Sequence, residues 1–350
     1  MTDYTKYDAA LRQLANCGPD LANGFTSHMP MVVEALCRMD QGDKAETWLE
    51  ERVDEALPQS NYPKKEAIDE DWAYLLGAED RFTDWRDHFD QEIAENGWRT
   101  VLNIWVARLA PGYMGAATHG ILRTAHAARA VQEGESNIRL DELSQGLALW
   151  ASTYQALPTS KASDVKTHPL AEALAAIPMV PEDERQNEGA ITHALTVLDD
   201  RADFAPIVHM LDLGDDPRET ALDLAEALVA IYLSHAKDPL SSIVFTHGVT
   251  SMAATHGLMA LVSTDVAATL LRFAWQGVAG LYATYGESGA AHAEQAAETQ
   301  DQIIHAAVVH GDDHIIKLAE ACLGLYALRP NPDFLRAPAL ARACVPGDFR

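Results

Sequence analysis

Apolar residues recur at three- and four-residue intervals along most of this chain, and alternating β-branched runs are nearly absent. Helices are predicted over about 5–16, 29–55, 69–94, 97–109, 115–132, 139–156, 189–198, 218–235, 262–284, 290–308 and 312–328. Pro, Gly, Asn and Asp cluster at 58–63, 109–112, 157–169, 178–189 and 329–333 and break the pattern there. The expected fold is all-α: one large, irregular helical domain of about ten or more helices covering 1–350. Residues 157–189 are read as a long surface loop and 329–350 as an extended C-terminal tail.

The segment 312–328 departs from ordinary amphipathicity. At about 100° per residue, Ile315, Ile316, Ala319, Cys322, Leu323 and Tyr326 form one face. His314, Lys317, Ala321, Leu325 and Leu328 form a second, and only a strip with Asp313 and Glu320 reads as wet. A helix apolar on two sides is buried, so Lys317 either snorkels out to water or stays inside with a partner.

Charge narrows the choice of partners. With 52 acidic and 26 basic residues the net charge is -26, which repels nucleic acid and anionic membrane surfaces. The first residues lack a charged-then-apolar leader, and no apolar run reaches the roughly 20 residues a bilayer requires. A soluble, cytoplasmic protein with no nucleic-acid or membrane partner is expected; its oligomeric state is open. Cys17, Cys37, Cys322 and Cys344 show no CxxC spacing, and Cys37 and Cys322 are expected in the core.

Histidine is the informative residue. There are 14, yet no HExxH, GxSxG, GxxxxGK[ST] or strand-linked GxGxxG accompanies them. Four places set histidine among apolar or small residues: His28 in GFTSHMPMVVEAL, His119 and His126 in GAATHGILRTAHAARA, His247 in SSIVFTHGVTSMAA, and His314. His88, His168, His193, His235, His292 and His305 are read as surface or capping residues. The favoured histidines are far apart in the chain, so only a fold that converges them makes a site.

Four blocks, in order, resemble the questin oxidase-like family: GFTSHMPMVVEALCRM, WRTVLNIWVARLAPGYMGAATHGILRTAHAARA, IVFTHGVTSMAA and HGDDHIIKLAEA. Thr26-Ser27 and Ala125 depart from the family's frequent Ser-Asn and Gly. The family consists of mainly helical oxidoreductases that open rings of anthraquinone-type polyketides. Its members were first described as NADPH-linked Baeyer–Villiger-type oxygenases; a better understood relative is a mononuclear non-haem iron oxygenase with four histidine ligands and a carboxylated lysine. Carried over block by block, the resemblance implies His28, His119, His247 and His314 as imidazole ligands of Fe(II) and Lys317 as the carboxylated lysine. His126 is the alternative ligand in its block and otherwise, with Asp313, a candidate for the chemistry. The implied partners are a small aromatic substrate and O2, with NADPH unsupported by any motif.

The proposal makes physical sense. Burial and a nearby dication both disfavour an ammonium, and the neutral amine that results can add carbon dioxide to become an anionic oxygen donor. Asp312, Asp313 and Glu34 are candidate partners for the histidines' second nitrogens. Trp105, Tyr113, Met114, Phe245 and Met252 are candidate walls of an aromatic pocket. Two other readings stand beside this one: a metal-free, NADPH-dependent Baeyer–Villiger-type oxidase using His119 or His247 as acid–base groups, and a helical protein that binds an aromatic ligand or metal without turnover.

Overall fold

In the computed structural model, which describes residues 4–186, 189–287, 290 and 295–347, the chain folds into one helical domain. The N-terminal part comprises α1 (Thr5–Leu14), α2 (Met29–Arg38), α3 (Gly42–Glu50), α4 (Phe82–Asn96), α5 (Trp98–Leu109), α6 (His119–Glu133) and α7 (Asn137–Ser152). After the short α8 (Leu170–Ala175) and α9 (Ile191–Ala194) come α10 (Pro217–His235), α11 (Pro239–Met259), α12 (Thr264–Tyr285), α13 (Gln300–His310), α14 (Asp313–Leu328) and α15 (Pro332–Cys344). Among the described residues the only sheet is an antiparallel pair, β1 (Cys17–Leu21) and β2 (Ala56–Pro58).

Four helices form the centre: α2 packs on α6 and α14, and α11 packs on the same two. Every residue of α2 from Met29 to Cys37 is buried, so no polar face was available to mark its limits. It stops where Asp40 turns into the left-handed region at φ 59°, which splits the expected 29–55 helix in two. The next helix wall is set by glycine. A Cβ on Gly120 of α6 would stand 2.5 Å from Trp150 Cα, and one on Gly146 of α7 would stand 2.8 Å from Thr124 Cα. These two helices therefore touch backbone to backbone, and the buried guanidinium of Arg123 locks them by donating to Glu142 at 2.6 and 2.9 Å.

The periodicity missed α11. Its 21 residues run through SSIVFTHGVTSMAATHG and are buried on nearly all sides, which removes the apolar-polar contrast that a helix pattern needs. Its start was legible: Pro239 occupies the first turn and Asp238 and Ser241 form a capping box. The tail expectation is likewise corrected, because Pro332–Cys344 is helical and buries Phe334, Ala337 and Ala341. Asn331 caps that helix from its side chain and Pro332 opens it, so the RPNPD break is also a start signal. Residues 69–81 form short 3-10 turns before the α-helix begins at Phe82. Within 157–189 the backbone is pinned, with Ser160 N–H donating to Ala205 O and Val180 N–H to Ala283 O. The first part of the expected 290–308 helix falls partly outside the described residues, and regular structure starts at Gln300.

Candidate metal centre

His28 is the residue before α2, held at the helix start by Pro30 in the first turn. His119 opens α6 directly after Ala116, Ala117 and Thr118, all left-handed at φ 47°, 55° and 74°. Three consecutive non-glycine residues in that region are costly, at about 1–2 kcal/mol each. They reverse the chain so that the first residue of α6 points into the middle of the domain. His247 sits halfway along α11. His314 and Lys317 lie one turn apart on α14, whose N-terminus is fixed by Asp312 accepting from the His314 and Ile315 amides.

These distant segments meet. The His28 and His119 rings stack at 4.4 Å between centroids, and His314 meets His28 edge-on at 4.8 Å. His247 closes the circuit, 5.0 Å from His119 and 5.6 Å from His314. All four sequence-predicted imidazoles therefore share one focus. Lys317 is buried to 2% exposure, and no hydrogen bond or ion pair to it is found among the described residues.

The protons are assigned by the outer partners. His28 Nδ1–H donates to Asp313 Oδ2 at 2.5 Å, His247 Nδ1–H to the Ile243 carbonyl at 2.7 Å, and His119 Nδ1–H to the Ala116 carbonyl. In the neutral ring each Nε2 then carries a lone pair, and the Nε2 atoms of His119 and His247 lie 3.3 Å apart. Two lone pairs facing each other in a dry site repel unless a cation lies between them. The separation suits two imidazoles on one divalent metal with bonds of about 2.0–2.1 Å. His314 Nδ1 lies 3.0 Å from Asp313 Oδ1 but out of line for a hydrogen bond, which leaves it a buried, unpartnered atom. One donor atom each from His28, Asp313 and His314 also falls within 4.8 Å of the others. The donor set fits a borderline divalent metal: imidazoles, an available carboxylate and a removable ammonium.

Electrostatics agree with that fit. Burial, then Lys317, lowers His28 to about 4. Burial and the neighbouring histidines and lysine hold His119 and His247 well below the usual imidazole range. His314 moves up, because the pull of Asp313 and Asp312 outweighs its burial. Burial lowers Lys317 to about 8, although Asp313 and Asp312 act in the opposite sense. Three imidazoles are thus neutral ligands near pH 7, and the lysine reaches half neutral amine at about pH 8.

His126 is not part of the ring circuit. Its Nδ1–H donates to Glu34 Oε2 at 2.6 Å, and Glu34 is wholly buried, not a capping or surface acid. Sequence reasoning missed Arg129, which bridges Glu34 and Glu320, and it misplaced Glu320, expected on a wet strip yet buried at 7%. The one signal available was that Glu320 and Lys317 are a turn apart on a helix with no other room for charge. His235, expected at the surface, is buried between the Ile231 and Glu287 carbonyls. His292 lies outside the described residues. Trp105 belongs to an aromatic cluster with Trp72, Trp85, His88 and Phe89 at 5.0–5.5 Å and so is core there. Cys37 and Cys322 are buried as expected.

The central helices of this all-helical domain bring four imidazoles close together beside a buried lysine, and His28, Asp313 and His314 there could hold a metal ion. The chain belongs to the questin oxidase-like family, whose sequence profile matches residues 43–322. No curated protein matches the chain significantly. Membership identifies an oxidoreductase of the oxidase or oxygenase type. His28 lies before the matched residues, so its place in the site rests on its ring contacts and not on the match. Among the described residues no helix is long and apolar enough to cross a membrane.

Proposed function

We propose that this protein is a mononuclear non-haem iron oxygenase acting on an aromatic polyketide or on a quinone or hydroquinone. His28, His119, His247 and His314, with Lys317 as its carbamate, would hold the metal. When bound, iron(II) supplies the one-electron chemistry by which dioxygen reacts with an electron-rich aromatic ring. The observation that carries this reading is the 3.3 Å approach of two Nε2 atoms whose rings have already committed their protons elsewhere.

The chain's own residues do the rest. Burial makes Lys317 a neutral amine at modest alkalinity; its Nζ attacks the carbon of CO2, a C–N bond forms and one proton leaves, giving an anionic oxygen donor. Asp313 holds the His28 Nδ1 proton and so keeps Nε2 as the free donor. In the same way Glu34 fixes the Nδ1 proton of His126 and leaves its Nε2 able to take a proton from a phenolic substrate, the acid–base role proposed for His126.

Metal analysis of untagged protein after aerobic iron loading tests the reading, together with a mass measurement at Lys317. About one equivalent of iron and an added carboxyl group are expected. Less than about a tenth of an equivalent would sink it.

A further inference from the structure

Behind the histidine quartet lies a second buried cluster. Glu34 accepts from Tyr4 Oη–H at 2.6 Å, from His126 Nδ1–H at 2.6 Å and from Arg129 Nε–H at 2.9 Å, with a further contact to Arg129 Nη2. The other arm of the same guanidinium, Nη1, reaches Glu320 Oε1 at 2.8 Å. Glu34 is on α2, Arg129 on α6 and Glu320 on α14, so one side chain ties together three of the four central helices.

Each of those helices carries a member of the quartet or Lys317 nearer its N-terminus. Glu34 follows His28 by six residues, Arg129 follows His119 by ten, and Glu320 follows Lys317 by three. At about 1.5 Å per residue, the second anchor stands roughly 5–15 Å along each axis from the first. A helix fixed at one point can pivot; fixed at two it cannot. Within the quartet one bond joins two of these helices, His28 Nδ1–H to Asp313 Oδ2 at 2.5 Å between the start of α2 and α14, and among the described residues none ties His119 of α6 to either of them. The ion cluster reaches all three: it is directional and shared, both carboxylates are buried and the Arg129 side chain is 32% exposed, so its two-armed geometry holds the helices in register. α11, which carries His247, contributes no group to it.

We propose that Arg129 is a positioning residue: by bridging Glu34 and Glu320 it braces α2, α6 and α14 so that His28, His119, His314 and Lys317 stand ready for the metal before it arrives. The brace rests on the metal-centre reading above and adds to it a cause for the preorganisation.

The test compares cobalt(II) uptake, by chelator competition, and the visible ligand-field spectrum of the cobalt protein in four chains. These are the native protein, Arg129→Lys, the charge-balanced pair Glu34→Gln with Arg129→Met, and a control pair, Arg123→Met with Glu142→Gln, which removes a buried ion pair joining only α6 and α7. The brace pair is expected to fold, to bind cobalt about 10- to 100-fold more weakly and to show an altered spectrum. Arg129→Lys keeps the charge but loses the two-armed reach, and should weaken binding to a lesser degree. The control pair should bind as the native chain does. Equal affinity and an identical spectrum in the brace pair overturn the brace alone, as does equal weakening in the control pair. No cobalt uptake by the native protein overturns the metal-centre reading and the brace with it.

Discussion

The Nε2 atoms of His119 and His247 face each other at 3.3 Å, although one comes from the first residue of a helix after a left-handed turn and the other from the middle of a helix 128 residues away. Since both Nδ1 protons go to backbone carbonyls, nothing in the chain itself relieves the contact. A ligand that binds only the folded state stabilises it by about 2.7 kcal/mol at a hundredfold excess over its Kd. Adding iron(II) or cobalt(II) to chelator-treated protein should therefore raise its melting temperature. His119→Ala and His247→Ala should show no such rise and should retain under about a tenth of an equivalent of metal. Scanning calorimetry and metal analysis check both.

Lys317 sets up an opposition between function and stability. Its amine titrates at about 8 in the folded chain against 10.5 when unfolded, chiefly because it is buried. Between those values the unfolded chain holds a proton that the folded chain lacks, so metal-free stability rises with pH across that window. Below about pH 8 the whole cost is present; above 10.5 it is gone. At about 1.4 kcal/mol per pH unit the cost is on the order of 3 kcal/mol. Lys317→Met, similar in length and apolar, should make the metal-free protein more stable at pH 7 by up to about that amount and abolish metal binding. The advantage should fade towards pH 10. Urea unfolding of both chains at pH 7 and pH 10 measures it, and a variant less stable than the native chain at pH 7 would contradict the argument.

Asp313 acts on the same centre through His28. Its carboxylate stays ionised, since His28 and His314 outweigh the effect of burial, and it fixes the His28 proton on Nδ1. Asp313→Asn keeps the shape and loses the charge. The expected outcome is a folded protein with about 10- to 100-fold weaker metal binding, read by chelator competition. A variant that held metal as tightly as the native chain would remove Asp313 from the site.

The helical class was legible because most segments have one wet face; small, apolar surroundings marked five histidines, His126 among them, and only the family resemblance picked the quartet out of these. What escaped the sequence has physical reasons. α11 hid because a helix buried all round has no period to read, although its capping box at Asp238 was visible. Asp40 ended a helix where periodicity continued, since one left-handed residue leaves no mark on hydrophobic spacing. Glu320 read as a surface charge and Arg129 gave no signal, because each is compensated by a partner far away in sequence, and single-sequence patterns carry no trace of such pairing. Lys317 stood out because it is the one Lys or Arg in an otherwise apolar α14, with the acids that act on it, Asp313 and Asp312, confined to the helix start.

The turn before His119 offers a test of how its aim is maintained. Ala116, Ala117 and Thr118 are all left-handed, a conformation that only glycine adopts without penalty. Replacing Ala117 by glycine removes about 1–2 kcal/mol of backbone strain but adds about 0.5–1 kcal/mol of unfolded-state freedom. Ala117→Gly should therefore be as stable as the native chain or better by up to about 1.5 kcal/mol. Ala117→Val crowds a buried left-handed position with a branched side chain and should cost about 2 kcal/mol or more. Denaturant unfolding separates the two. If the turn serves to aim His119, the glycine variant gains stability without gaining metal affinity, because the strain holds the ring in place and a freer turn releases it. A glycine variant that binds metal more tightly would mean that the native turn resists the metal geometry.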